Sequence, residues 1–473
     1  MSMTCRLLAA ALLAVLGPAA AWAQAPVYDD NSAYTAGVET PTAATLGEST
    51  VGGGGSCEAT CDGGCSDCCD DCCGHFGDRW PCGGSLECLG EPCKLFDSCW
   101  MEERGIVAGG WLAQSYTWNP YRPADRFNGP VTWTDRSNDY QMNELYFFLG
   151  KAADVDSCDW NFGYRTDMMY GTNYRWNTSA GFETNFGNGT FYGLAIPQAY
   201  GEIGGNGWSV KIGRWYSPVG YYVVGTANNF FPVLPYTFQY GEPFTHTGVY
   251  ATKKVSDKLT VGGAITHGWD SSDNTGNPHA GGLASATYTI DDQRSLAYVG
   301  VFGPEPNFSG VNLAGNGFGY TNRYTQTLVY QHKFSDDVLG VLQSDFGTQS
   351  DAVVAGQTAK WYGINSYLYW NMTCRTQWGV SGEWFRDQGG FRVGQVLPSF
   401  GSPNAAGFAR SGFDGSFYRV TFGPKHYFTP NIYGRAALLA DWYVGPAGPG
   451  GLPFDDGTKD HQQLLTFDVV ATF

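Results

Sequence analysis

The sequence has no apolar run long enough to cross a bilayer as a helix: after residue 23 no stretch of roughly 18 consecutive apolar residues occurs. Any membrane-spanning form of this chain must therefore be a closed β-barrel, because only helices and barrels satisfy their backbone hydrogen bonds in lipid. Charge is scarce, at 15% of residues, and basic charge scarcer still, with 27 Lys and Arg against 44 Asp and Glu and a formal net charge of −17. Phosphate contacts need clustered Lys and Arg, which excludes a nucleic-acid partner. The 7 His (His75, His246, His267, His279, His332, His426 and His461) are scattered without metal-pair spacing, so no metal site or other cofactor is expected. A G-x-S-x-G nucleophile elbow is also missing, and the glycine-rich stretches lack the strand-turn-helix context of a phosphate loop. The chain is not expected to be an enzyme. From residue 105 onward cysteine nearly vanishes, leaving Cys158 and Cys374.

What is abundant is glycine (66) and large aromatics, with 29 Tyr, 29 Phe and 16 Trp. That load suits the interfacial girdles of an outer-membrane barrel. At the amino terminus Arg6 precedes an apolar run from Leu7 to Leu16 and the small-x-small site Ala21-Trp22-Ala23. Residues 1–23 read as an export signal removed after Ala23. Residues 24–56, rich in Ala, Thr, Pro and Gly, contain no Lys or Arg and read as a flexible tether. Residues 57–104 form an acidic cysteine-rich segment, and residues 105–473 carry the strands. Residues 24–104 have a net charge of −12 and residues 105–473 of −6, so only the extension is strongly acidic.

The carboxy-terminal run ends in Phe473 and places Leu465, Phe467, Val469, Ala471 and Phe473 on one face, opposite Thr466, Asp468 and Thr472. This is the period of a strand with lipid on one side and a wet lumen on the other. Residues 159–170 repeat it, with Trp160, Phe162, Tyr164, Thr166, Met168 and Tyr170 against Asp159, Asn161, Gly163, Arg165 and Asp167. Residues 374–386 set Trp378, Val380 and Trp384 against Arg375, Gln377, Ser381 and Glu383. Cutting at Gly, Pro, Asn and Asp punctuation yields roughly sixteen strands, with fourteen to eighteen permitted. The fold class is all-β, a transmembrane antiparallel barrel with a flexible cysteine-rich extension, placed in the outer membrane. About 23 residues per strand leave room for short turns and longer loops. The longer connections fall at 171–189, 217–242, 303–321, 387–413 and 444–460. A barrel of this strand number encloses an aqueous lumen. Strand parity turns Arg165, Lys211, Arg375, Glu383, Arg419, Arg435 and Asp441 toward that lumen. Each is either a pore-lining charge, a residue at the water interface, or part of a salt bridge that stiffens the wall. The proline-containing stretch Phe230 to Pro243 either folds into the mouth as a constriction or caps it from outside.

One further feature narrows the class. Phe191 to Tyr200, then Val210-Lys211-Ile212-Gly213-Arg214-Trp215 with Pro218-Val219-Gly220, Asn228-Asn229-Phe230-Phe231 and Tyr240 to Val249, resemble the β-barrel porins of the OmpL-like outer-membrane family. The resemblance covers roughly residues 105–473 and does not extend to the cysteine-rich segment. It implies an outer-membrane pore without catalytic residues. The expected function is passive diffusion of small hydrophilic solutes or ions, with mixed inner charge giving weak ion selectivity. The alternative is a non-conducting structural barrel whose cysteine-rich head crosslinks the cell surface. Membrane lipid and the diffusing solutes are the expected partners, with envelope proteins bound through cysteines and further copies of the chain as others.

The cysteine segment holds Cys57, Cys61, Cys65, Cys68, Cys69, Cys72, Cys73, Cys82, Cys88, Cys93 and Cys99. Cys65-x-x-Cys68 and Cys69-x-x-Cys72 have zinc-ligand spacing, but the doublets Cys68-Cys69 and Cys72-Cys73 break a four-ligand knuckle. Export favours disulfides. Eleven is odd, so at least one thiol stays free, pairs with Cys158 or Cys374, or joins another chain. A disulfide knot tethered to the barrel, plugging it or anchoring it to neighbours, is the resulting expectation.

Overall fold

The computed structural model describes residues 89–90, 92, 94–96, 98–179, 181–183, 191–274, 277–307, 319–352, 356–394 and 410–473. The export signal, the tether and Cys57 through Cys93 lie outside the described residues. Of the remaining cysteines, Cys99 and Cys158 are free and exposed, so Cys99 is not in a disulfide as expected, and Cys374 is disulfide-bonded.

A short helix α1 (Cys99–Glu102), started by the Ser98 hydroxyl accepting the Met101 amide at 3.3 Å, leads into the barrel. Its strands are β1 (Val107–Trp118), β2 (Tyr140–Lys151), β3 (Asn161–Gly171) and β4 (Gly193–Gly205). Next come β5 (Trp208–Tyr216), β6 (Thr245–Ser256), β7 (Leu259–Thr266) and β8 (Gly281–Asp291). The third quarter is β9 (Arg294–Asn307), β10 (Gly319–Ser335), β11 (Val338–Gln349) and β12 (Ala359–Thr373). The last is β13 (Thr376–Gln388), β14 (Gly415–Thr429), β15 (Ile432–Val444) and β16 (His461–Thr472). Each strand pairs antiparallel with its chain neighbours, and β1 closes on β16 from Trp111↔Thr472 to Trp118↔Leu465. The terminal residue completes that seam: Phe473 and Gly110 exchange backbone hydrogen bonds of 2.9 Å in both directions. Sixteen strands is the number the punctuation gives.

The two ends differ. At one end pairs of residues such as 206–207, 257–258, 292–293 and 374–375 join the strands. Asn206 and Gly207 have φ of 53° and 74°, the left-handed pair whose twist matches a tight hairpin and which Asn and Gly adopt at least cost. At the other end lie connections of up to 28 residues, the longest being 217–244. Outer-membrane barrels carry their short turns on the periplasmic side and their long loops outside. The chain enters β1 from the short-turn end, the end at which α1 also lies.

Alternation decides the faces. Phe162, Met168, Ile212, Ile265, Leu342, Phe422, Leu438, Phe467 and Val469 are exposed on the outside, while Asp167, Thr421, Thr466 and Asp468 are buried within. Trp160, Trp208, Phe334 and Phe428 ring the short-turn end, and Tyr116, Trp118, Tyr140 and Tyr170 the long-loop end. These rings are the interfacial belts that the composition suggests.

Candidate functional site: the barrel lumen

The lumen is occupied by part of the chain itself. Residues 217–244 leave β5, turn into the barrel and return to β6, so the stretch around Phe230 to Pro243 is an internal constriction and not an outer cap. Its apolar side chains explain the direction: Tyr221, Tyr222, Val224, Phe231, Val233, Leu234 and Phe238 join one buried cluster with wall residues of β1, β2, β3, β10, β11, β12, β14, β15 and β16. Phe230 stacks on Tyr369 of β12 at 4.5 Å between centroids. The loop braces its own neck through Asn229, which accepts from the Val223 amide at 3.0 Å and donates to the Val223 carbonyl at 2.7 Å. A wide helical turn, Thr237–Gly241, follows Pro235.

Inside a barrel the backbone of such a loop loses water and needs partners. The wall supplies them. Glu383 of β13 accepts from the Tyr236 amide at 2.8 Å, the Thr237 amide at 2.6 Å and the Thr237 hydroxyl at 2.9 Å. Arg419 of β14 donates to the Leu234 carbonyl at 2.6 Å and pairs with Asp441 of β15 at 2.6 Å. Arg435 of β15 donates to the carbonyls of Thr226 at 2.9 Å and Asn229 at 2.6 Å, and pairs with Asp468 of β16. Tyr433 donates to the Ala227 carbonyl at 2.7 Å. Glu144 of β2 accepts from the Thr226 amide at 3.1 Å and from the Trp111 indole at 2.7 Å. Gln343 of β11 accepts from the Tyr221 amide at 3.0 Å and donates to Glu242 at 2.6 Å. Trp361 of β12 donates to the Gly241 carbonyl at 3.1 Å.

Thus four of the seven charges that parity turns inward, Glu383, Arg419, Arg435 and Asp441, come together as the clamp on this loop. Arg165, also inside, pairs with Asp167 and lies 4.3 Å from the Phe148 ring centroid. Lys211 faces in from β5, its ammonium 4.7 Å from the Tyr200 centroid. Arg375 departs from the expectation: it occupies the turn between β12 and β13 and donates to the Phe428 carbonyl at 3.4 Å. Sequence reasoning missed Glu144, Gln343 and Trp361. Glu144 sits at a register shift, where Ala113 faces Glu144 but Gln114 faces Met142, so adjacent Asn143 and Glu144 are both buried. A bulge of this kind breaks strict parity.

Two loop groups titrate away from their ordinary values. Burial pushes the Glu242 carboxyl well above 4.5, and the nearby Asp345 charge adds to it. Burial, with Arg323 beside it, pushes Arg392 down to about 9. His246, buried, shares hydrogen bonds with the Gly268 carbonyl at 3.0 Å and the Ser217 hydroxyl at 3.1 Å, and so fastens the base of the loop.

A closed sixteen-strand barrel with a loop tucked into its bore can be compared with known proteins. Residues 105–473 match the family described as "Putative beta-barrel porin-2, OmpL-like". The chain belongs to this family of OmpL-like porins. It is an outer-membrane porin, a water-filled barrel for small hydrophilic solutes or ions. The outer membrane channel DcaP of Acinetobacter baumannii is similar in fold, at 9% identity and a TM-score of 0.51, over 78% of this chain and 97% of that one. The trimer form of Vibrio cholerae OmpT gives 8% identity and 0.48 over 78% and 99%. An anion-selective porin from Comamonas acidovorans gives 11% and 0.48 over 78% and 99%. No curated protein matches this sequence.

Proposed function

We propose that solutes cross this porin between the inner loop and the opposite arc of wall, β4 to β9, and that the loop sets the size limit. The observation that supports this path is the placement of the anchors: Glu144, Gln343, Trp361, Glu383, Arg419, Tyr433 and Arg435 lie on β2 and β11 to β15. The facing arc presents Lys211, Thr252, Thr287 and Ser295 inward. Because the strong inner charges are spent on partners of opposite sign, the pore selects weakly among small ions. Lys211 on β5 is the charge on that arc that solutes meet, Arg165 on β3 is held by Asp167, and Arg419, Arg435, Glu383 and Asp441 act through the loop.

Cysteine substitution tests the path. A thiol at Thr252 or Thr287, treated with a charged methanethiosulfonate during single-channel recording, should reduce conductance, and one at Ala437 behind the loop should not. Equal block from both sides would reject the path.

The porin is also proposed to assemble as a homo-oligomer. On the lipid face the mid-height positions Gln326, Ser344 and Ser366 are polar, and Gln326 draws in the hydroxyls of Tyr298 and Tyr324 at 3.3 and 2.8 Å. Polar side chains in hydrocarbon are costly and mark protein contacts. Native mass measurement should give an oligomer that Gln326→Leu weakens, and a monomer would refute it.

A further inference from the structure

We infer that a divalent cation of the calcium class binds between Glu242 of the inner loop and Asp345 of β11 and ties the neck of the loop to the wall. This rests on the reading of the loop as the size limit and names what regulates its docking. One amide nitrogen holds the two carboxylates side by side: Gln343 Nε2 donates to Glu242 Oε1 at 2.6 Å and to Asp345 Oδ2 at 2.7 Å. Their other oxygens, Glu242 Oε2 and Asp345 Oδ1, are buried without a hydrogen-bond partner. The groups that act most strongly on the pair are each other, Gln343, Thr327 and Glu383, and none of these is a cation. Arg419, beyond Glu383 in the wall register, is already committed to Asp441 and the Leu234 carbonyl. Two buried carboxylates in contact keep both charges only with a positive charge between them.

The wall adds neutral oxygens beside them. Thr327 stands opposite Asp345 in the β10–β11 register, and Thr325 follows on the same inner face. Both hydroxyls are buried, at 1% and 0% exposure, and neither has a hydrogen-bond partner. A buried hydroxyl without a partner is costly, and two of them next to a bare carboxylate oxygen point to a shared ligand. Two carboxylates and two hydroxyls make an oxygen-only set, which suits a hard cation. Calcium takes about six to eight oxygens in flexible geometry, so water completes the shell, whereas magnesium demands a near-ideal octahedron. Among the described residues no three His, Cys, Asp or Glu converge on a metal, so hydroxyls and water must supply the remaining ligands. The scattered His do not bear on such a set. Its position gives the ion leverage on both legs of the loop: the Glu242 carboxylate lies against Gly220, and the Tyr221 amide donates to Gln343 at 3.0 Å.

The test uses the full mature chain in detergent, stripped with EGTA and titrated with calcium chloride by calorimetry. The native protein should show one calcium site that Glu242→Gln and Asp345→Asn each remove. The double variant Thr325→Val with Thr327→Val keeps both carboxylates and should weaken the site by about tenfold or more, the loss that even a metal's outer partners cause. Heat-modifiable gel migration confirms that each barrel is folded. Calcium binding of equal stoichiometry and affinity in the native chain and all three variants would assign it to exposed acids and overturn the proposal, as would no binding to the native chain. In planar bilayers EGTA should raise the step size and open-channel noise of the native protein and leave Glu242→Gln unchanged. With the ion withdrawn a shared proton takes its place between the carboxylates, so the docking then follows pH. Calcium bound at this site with a conductance indifferent to EGTA would refute the loop as the size limit, while the ion site stands.

Discussion

Replacing Glu383 with alanine should release the inner loop from the wall while leaving the barrel intact. The Glu383 carboxylate takes three hydrogen bonds from the loop, at 2.6, 2.8 and 2.9 Å, two of them from backbone amides that have no way to rearrange without moving the helical turn. An orphaned buried donor costs about 1 to 3 kcal/mol, so two amides together weaken docking by about 2 to 6 kcal/mol. Even the lower figure multiplies the undocked population by roughly 30. Arg419, the neighbouring cation, retains Asp441, so no unpaired charge is created on the wall. The assay is single-channel recording in planar bilayers, with heat-modifiable migration as the folding control. Glu383→Ala should give larger steps with more open-channel noise. Glu383→Gln keeps one acceptor oxygen and should fall between alanine and the native protein. Unchanged step size and noise in the folded alanine variant would refute the claim that this carboxylate holds the loop.

Three further outcomes follow from the same geometry. Glu242 has its carboxyl raised in the docked state, so below the ordinary value of 4.5 both docked and undocked loops are protonated and docking is strongest. As pH rises above that value the undocked form ionises first, and docking weakens by about 1.4 kcal/mol per pH unit until the raised value is passed. Conductance should therefore increase on alkalinisation, and Glu242→Gln should flatten the dependence in recordings across the pH range. Arg175 in the 172–192 connection makes two hydrogen bonds to Asp135, at 2.9 and 3.0 Å, with both side chains 1% exposed. Arg175→Ala strands a buried carboxylate at a cost of about 3 to 5 kcal/mol, and limited proteolysis should then cut within 119–139 while the barrel fragment persists. Gly347 lies beneath Trp361, and a Cβ there would meet the indole ring at 2.0 Å. Gly347→Ala must displace the ring that donates to Gly241, lowering stability by about 1 to 3 kcal/mol and raising conductance, measured by thermal melting and bilayer recording.

How far the sequence reaches depends on the range of the contact involved. The period-2 faces of residues 159–170 and of the carboxy-terminal strand come from local alternation, and Phe162, Phe467 and Val469 are outside while Arg165, Asp167 and Asp468 are inside as that alternation requires. The Asn206-Gly207 turn is equally local. Arg375 shows the limit: alternation continues through residues 374–386, but the strand begins at Thr376, and nothing in the pattern itself marks the turn. The path of the inner loop is beyond local reading altogether. Glu383 meets Tyr236 across 147 positions and Arg435 meets Thr226 across 209, so the sequence offers charges of the right parity without their partners. Glu144 escaped for a third reason, because a bulge puts two consecutive residues on the inner face.

The most direct test of the central claim, a water-filled barrel narrowed by its own folded-in loop, is single-channel conductance of the native chain beside a variant in which residues 221–240 are replaced by a short glycine-serine linker. The account expects discrete steps from both proteins and a severalfold larger step from the variant. A loop-replaced barrel that folds but conducts no more than the native chain would contradict it.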